Sequence, residues 1–244
     1  MHEQLGEHVL WQLPVLGPVH ADTIITTWIV MVIALALFAV VGATYRSAYV
    51  SKRQTVVEGV VNYISDLSAS TLGEKGEPFI PFFIALFVFI FLLNQFGILP
   101  LKALGLPFGG SPTGDLNTTL PLALVVFSVA VAMGFKTQGL KYVPNTLFHP
   151  FWWLFIINIL EQIIRPVTLA ARLFFNIFVG ELLFTIVASI IEAHVVMGGF
   201  NLSLAVTIVP FFIQFFNLFV GTVQAFVFTL LAIVYLSLAI ADDH

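Results

Sequence analysis

The chain has 244 residues, of which 59% are hydrophobic and 9% charged, against about 25% charged in a soluble domain. That composition excludes a soluble globular protein and reads as a polytopic membrane protein with no soluble domain, since no polar stretch approaches ordinary domain size. The absence of cysteine excludes disulfides, thiolate chemistry and thiol-ligated metals, and the net charge of −4 gives no sign of nucleic-acid binding.

In chain order, residues 1–23 read as an outer tail that carries Glu3, Glu7 and Asp22 and no basic residue. No Lys or Arg precedes Arg46, so the basic start of a cleavable signal is not expected. The apolar run Ile24–Ala43 predicts a first transmembrane helix over 24–43, close to the ~20 residues that a hydrocarbon core requires. Residues 53–72 follow with Val56, Val57, Val60, Val61, Ile64 and Leu67 on one helical face and Glu58, Asn62 and Asp66 opposite, the pattern of an interfacial amphipathic helix. A second span is expected over 79–99, where Asn94 reads as structural, and a third over 117–135. Asp115 precedes that third span either as its N-cap or as a residue at a channel mouth; the sequence leaves both open.

The last two apolar runs, 151–197 and 201–241, are too long for simple crossings. At ~1.5 Å per residue they are either broken or steeply tilted across a ~30 Å core. Pro210 is a candidate kink in the fifth, and Met197-Gly198-Gly199 reads as a tight turn between the two. The expectation is an all-α polytopic membrane protein of a single membrane domain, 1–244, with about five transmembrane helices and one interfacial helix, the last two spans forming a long oblique hairpin. Arg46, Lys52, Arg53 and Lys75 follow the first span, and Lys136 and Lys141 the third. By the positive-inside rule these loops are cytoplasmic, which puts the N-terminus outside and Asp242-Asp243-His244 in the cytoplasm, with Lys102 the one dissenting charge.

Arg172 lies inside an almost wholly apolar stretch, where a charge costs from a few to more than ~10 kcal/mol unless it faces protein or water. It is either interhelical glue or a functional charge. At about 100° per residue, Arg165, Arg172 and Asn176 fall on one side of the helix and Glu181, Thr185, Ser189 and Glu192 on roughly the opposite side. The polar face therefore changes sides, which suits two separate half-pathways better than one continuous pore. Gln214, Asn217, Gly221 and Gln224 form a line of their own on the last helix. Membrane amides are commonly hydrogen-bonding glue, and their alignment opposite an acidic helix equally suits a hydrated lining. The histidines show no metal-ligand spacing, and no phosphate loop, dinucleotide fingerprint or nucleophile elbow is present, so neither metal, cofactor nor catalytic site is expected.

Asn158-Ile-Leu-Glu161, Arg165-Pro-Val-Thr-Leu-Ala-Ala-Arg172-Leu-Phe-Phe-Asn176, Gly180-Glu181-Leu and Gln224-Ala-Phe-Val-Phe-Thr-Leu-Leu-Ala-Ile-Val-Tyr235-Leu together resemble the a subunit of F-type ATP synthases. Weaker echoes are Pro78-Phe-Ile-Pro81 and Asp115-Leu-Asn117-Thr-Thr. The resemblance runs from the first span to the end of the chain and is most specific in its last third. It implies a stator subunit of a rotary membrane motor, ion-translocating and without a catalytic site of its own, in a bacterial-type energy-coupling membrane. The implied partners are an oligomeric ring of c subunits facing Arg172, b-type peripheral stalk subunits, membrane lipid, and H+ or Na+. The family's essential arginine corresponds to Arg172, its nearby asparagine to Asn176, its acidic channel residue to Glu181 and its glutamine to Gln224. The implied outer half-channel is lined by Glu181, Thr185, Ser189, Asn217 and Gln224, with Asp115 as a candidate for the ion path.

Two positions depart from the family pattern. Phe175 stands where a small residue is usual, and Asn217 where many bacterial members carry a histidine. The main rival is a secondary transporter whose intramembrane arginine binds an anionic substrate, but such proteins show internal repeats, and the last hairpin has no counterpart in the first half. A structural scaffold with dry, paired polar residues is the third class.

Overall fold

A computed structural model describes residues 10–13, 17–45, 52–97, 111–148, 151–196 and 203–240. The turn at Met197-Gly198-Gly199, Lys102, Arg46 and Asp242–His244 lie outside the described residues, as does the side chain of Glu192.

Two short antiparallel strands, β1 (Leu10–Leu13) and β2 (Gly17–His20), pair Leu10 with His20 and Leu13 with Gly17. This small hairpin is absent from the sequence expectation, because four-residue strands carry too little period-two pattern to be read. It leads directly into α1 (Ala21–Thr44). The remaining helices are α2 (Lys52–Leu72), α3 (Ile80–Phe96), α4 (Leu116–Gln138), α5 (Tyr142–Phe148), α6 (Phe155–Val196) and α7 (Ser203–Ile240). Five helical stretches among the described residues are long and apolar enough to cross a membrane, as expected of a polytopic all-α membrane protein.

Local chemistry accounts for several ends. Asp115 caps α4, its carboxylate accepting from the Asn117 backbone N–H at 2.9 Å. Gly139, at φ +62°, terminates the same helix in a conformation that side chains with a Cβ resist. Close approach explains Gly134: the Tyr142 ring occupies the space a Cβ would fill, so α5 folds back against α4.

Pro166 and Pro210 do not break the long helices, which run for 42 residues in α6 and 38 in α7. At ~1.5 Å per residue, α6 is roughly 63 Å long, about twice a hydrocarbon core. The two lie antiparallel, since Asn176 reaches Gln224 and the earlier Asn217 of α7 reaches the later Gly180 of α6.

The core forms where α7 is wrapped by α2, α3, α4 and α6. Phe228, Ala232, Ile233 and Leu236 of α7 are buried against Ile64, Phe83, Ile90, Val126, Leu169 and Leu173. Within α2 the expected apolar stripe is used unevenly: Ile64 is buried and Val60 and Leu67 are partly so, while Val56 is 69% exposed. Much of α1 and one face each of α6 and α7 keep large apolar side chains exposed, which in water would be a severe liability and in lipid or against another subunit is the ordinary state.

Candidate functional site

The end of α3, the turn 111–115 and the start of α4 meet the start of α1 and the middle of α6 at a polar cluster. Asn94, 2% exposed, donates through Nδ2 to the Gly221 carbonyl at 2.9 Å and accepts through Oδ1 from Thr113 at 2.7 Å. Thr113 shares a 2.7 Å contact with the Ser111 hydroxyl, which donates onward to the Leu93 carbonyl. In an apolar surround each such group needs a partner, and this chain of bonds supplies them while tying α3, α7 and the turn together.

Glu181 joins the cluster from α6. Its Oε1 accepts from the Ser111 backbone N–H at 3.0 Å, and its Oε2 lies where a Cβ on Gly114 would come within 3.1 Å. Glycine at 114 therefore leaves room for the carboxylate. Thr185 and Ser189, one and two turns beyond, donate to the carbonyls of Glu181 and Thr185 in their own helix. Asn217 donates weakly to the Gly180 carbonyl at 3.4 Å; a Cβ on Gly180 would sit 2.5 Å from the Asn217 Oδ1, so the absence of a side chain there sets the spacing of α6 and α7. Asp115 is both cap and cluster member: besides Asn117 it meets His20 Nδ1 at 2.6 Å and Thr23 Oγ1 at 3.4 Å.

Arg172 stands apart. It is exposed on α6, and no carboxylate among the described residues pairs with it. Ile164 and Val167 before it and Phe175, Val179 and Leu183 after it are exposed large apolar side chains on that helix, while Thr168 and Asn176, one turn before and after, are exposed polar neighbours. One turn away, Asn176 donates through Nδ2 to Gln224 Oε1 at 2.6 Å. Gln224 is 2% exposed, and its own Nε2 is buried without a hydrogen-bond partner. An unsatisfied buried amide N–H costs about 1–3 kcal/mol, so this side chain is held for a reason other than packing.

Of the residues singled out from sequence, Glu181 and Asp115 are brought to one turn, Gly180 and Asn217 to one helix crossing, and Asn176 and Gln224 to another. Gln224 thus meets the Arg172 side of α6 rather than Glu181. Arg165 pairs with Glu161 one turn before it at 2.6 Å. That pair lines a polar cavity of about 170 Å³ with Gln138, Tyr142, Asn145, Asn158 and Gln162 near the ends of α4 and α7. Sequence reasoning missed His20, Thr23, Ser111 and Thr113. The available signal was a run of polar residues, His20, Asp22 and Thr23, entering an otherwise apolar helix.

A family model described as ATP synthase A chain matches residues 24–237, nearly the whole chain.

Proposed function

The chain belongs to the ATP synthase A chain family and is a proton-translocating, integral membrane subunit of ATP synthase; from that premise we propose that it is the stator of the rotary motor, passing ions through two offset half-channels to and from carboxylates on a ring of c subunits. The observation that carries this reading is Arg172, a full charge exposed among large apolar side chains on α6 and, among the described residues, without a carboxylate partner. In lipid that arrangement is prohibitively costly, so the face requires a partner surface bearing a compensating negative group at membrane depth. A ring of carboxylate-bearing helices is such a surface. The length of α6 and α7 suits a steeply inclined hairpin following the curved ring.

Arginine fits the barrier role because guanidinium does not give up its proton, so it blocks direct ion leakage. Its charge favours the ionised form of a carboxylate passing it, which drives release on one side. Asn176, held by Gln224, positions the polar surface next to that charge. On the outer side Glu181 receives the ion, with Thr185, Ser189 and Asn217 lining the approach and Asp115 at its mouth. The N-terminus is outside and the C-terminus cytoplasmic, in a bacterial-type energy-coupling membrane, with b-type stalk subunits holding the stator. The coupling ion is H+; Na+ would require ligands mainly on the ring.

The test is proximity. Single cysteines at Phe175 and Val179, in a chain with none of its own, should cross-link to a small, hydrophobic, ring-forming subunit in the assembled complex. Cross-links from Arg172's face only to lipid-side probes, and never to such a subunit, would overturn the reading.

A further inference from the structure

His20 is a titratable residue that the proposed outer path does not use, and its placement is specific. Its Nδ1 lies 2.6 Å from Asp115 Oδ2. The Oδ1 of the same carboxylate is occupied by the Asn117 backbone N–H at 2.9 Å and the Asn117 Nδ2 at 3.0 Å. One oxygen of Asp115 thus caps α4, and the other meets His20 and, at 3.4 Å, Thr23. His20 is 30% exposed and Asp115 9%, so the pair reaches from solvent into the interior. The turn that carries Asp115 also holds Glu181, through Ser111 N–H and the space beside Gly114.

The charged neighbours are few. Asp22, 7% exposed, is contributed by α1 and Glu181 by α6, while α3 and α7 contain no charged residue and present the amides Asn94, Gln95 and Asn217. Amides bond but do not titrate, so among the described residues the proton carriers along this route are His20 and the three carboxylates. Imidazole is the side chain that both takes up and releases a proton near neutrality, through two distinct nitrogens.

Resting on the stator reading and its orientation, we propose that the His20–Asp115 pair is the proton-collecting group of the outer path, loading Glu181. Water outside donates a proton to the ring nitrogen remote from Asp115. The imidazolium gives its Nδ1 proton to Asp115 Oδ2, and the carboxylic acid passes it to Glu181 through water. One proton enters and one leaves at each stage, and only N–H and O–H bonds are exchanged. A mere fastening of the N-terminal hairpin would need a hydrogen bond at this place but not a titrating ring.

That difference is the test. In the intact ATP synthase reconstituted in vesicles, ATP synthesis driven by an imposed proton gradient is followed over a range of outer-side pH. His20→Gln keeps a donor for Asp115 and cannot titrate; it should lower the rate by about a hundred-fold, the low side of what a positioned proton-transfer group contributes, and flatten the dependence on outer pH. In His20→Ala, imidazole added on the outer face should restore the rate, and imidazole on the inner face should not. A wild-type rate and pH profile in His20→Gln would overturn the proposal, as would loss of both variants from the membrane, which would make the pair a folding clamp. Arg172→Ala, run alongside, separates the two claims: coupling that survives it sinks the stator reading itself, whereas coupling lost there but unchanged in His20→Gln sinks only the His20 assignment.

Discussion

The amide of Asn176 donates to Gln224 at 2.6 Å across the α6–α7 crossing, and Gln224 is almost completely buried with its own Nε2 left without a partner. One turn from Asn176 on α6, Arg172 is exposed and, among the described residues, has no carboxylate partner. On the stator reading, the spare donor and the charge beside it belong to a surface that the ring of c subunits completes. Arg172→Ala should therefore abolish ATP-driven proton pumping while leaving the subunit assembled. Arg172→Lys should remain severely impaired, since lysine lacks the planar fork and can lose its proton when desolvated. Quenching of a pH-sensitive dye in inside-out vesicles reads both, and full pumping in either variant would refute the assignment.

Arg165 should behave differently. It precedes Pro166 and is satisfied by Glu161, a half-exposed partner one turn away. Its long side chain reaches the polar cavity that it lines with Glu161, Asn158 and Gln162, whichever cation it carries. Arg165→Lys is expected to keep pumping within about two-fold of wild type, a range consistent with the small worth of an exposed pair. A loss comparable to that of Arg172→Ala in the same dye assay would count against this.

The spacing of α6 and α7 at Gly180 is open to a direct check. Because a Cβ there would press on Asn217, Gly180→Leu should cost about 1–3 kcal/mol of overpacking and lower the amount of assembled subunit. Conversely, Gly180→Cys with Asn217→Cys should form a disulfide on mild oxidation, visible as a mobility shift reversed by reductant. No shift under conditions that oxidise a control pair would mean the helices are not this close.

Asn94 should be a stability residue. Replacing it with Leu removes the bond that Thr113 donates and the one that the Gly221 carbonyl accepts from Asn94, leaving Thr113 only its Ser111 contact, at a cost of about 1–3 kcal/mol. Thermal aggregation of the detergent-solubilised complex should begin at lower temperature in Asn94→Leu. Unchanged melting with reduced pumping would instead assign Asn94 to conduction.

Cysteines placed singly at Glu181, Thr185 and Ser189 should react with small aqueous thiol reagents, preferentially from the outer face. Leu183 and Val187 should stay protected: Leu183 is exposed on an apolar surface, and exposure to lipid does not generate the reactive thiolate. Equal labelling from both faces, or none along the stripe, would leave a dry helix contact in place of a half-channel.

Composition and apolar run length were enough to establish a polytopic helical membrane protein, because hydrocarbon admits few alternatives to helices of about 20 residues. Arg172 was legible for the same reason, as a charge that the local sequence gives no means of hiding. Whether Pro166 and Pro210 break their helices was not legible, since neighbouring helices can support the freed carbonyl and only packing reveals whether they do. Nor were the pairings of the site. Helical periodicity fixes which residues share a face, but the register of α6 against α7 depends on where Gly180 lets Asn217 approach. That register brings Gln224 to Asn176 rather than to Glu181. The His20–Asp115 contact joins residues 95 positions apart, and no local pattern encodes it. It exists because the starts of α1 and α4 come to the same end of the fold, which only the tertiary structure decides.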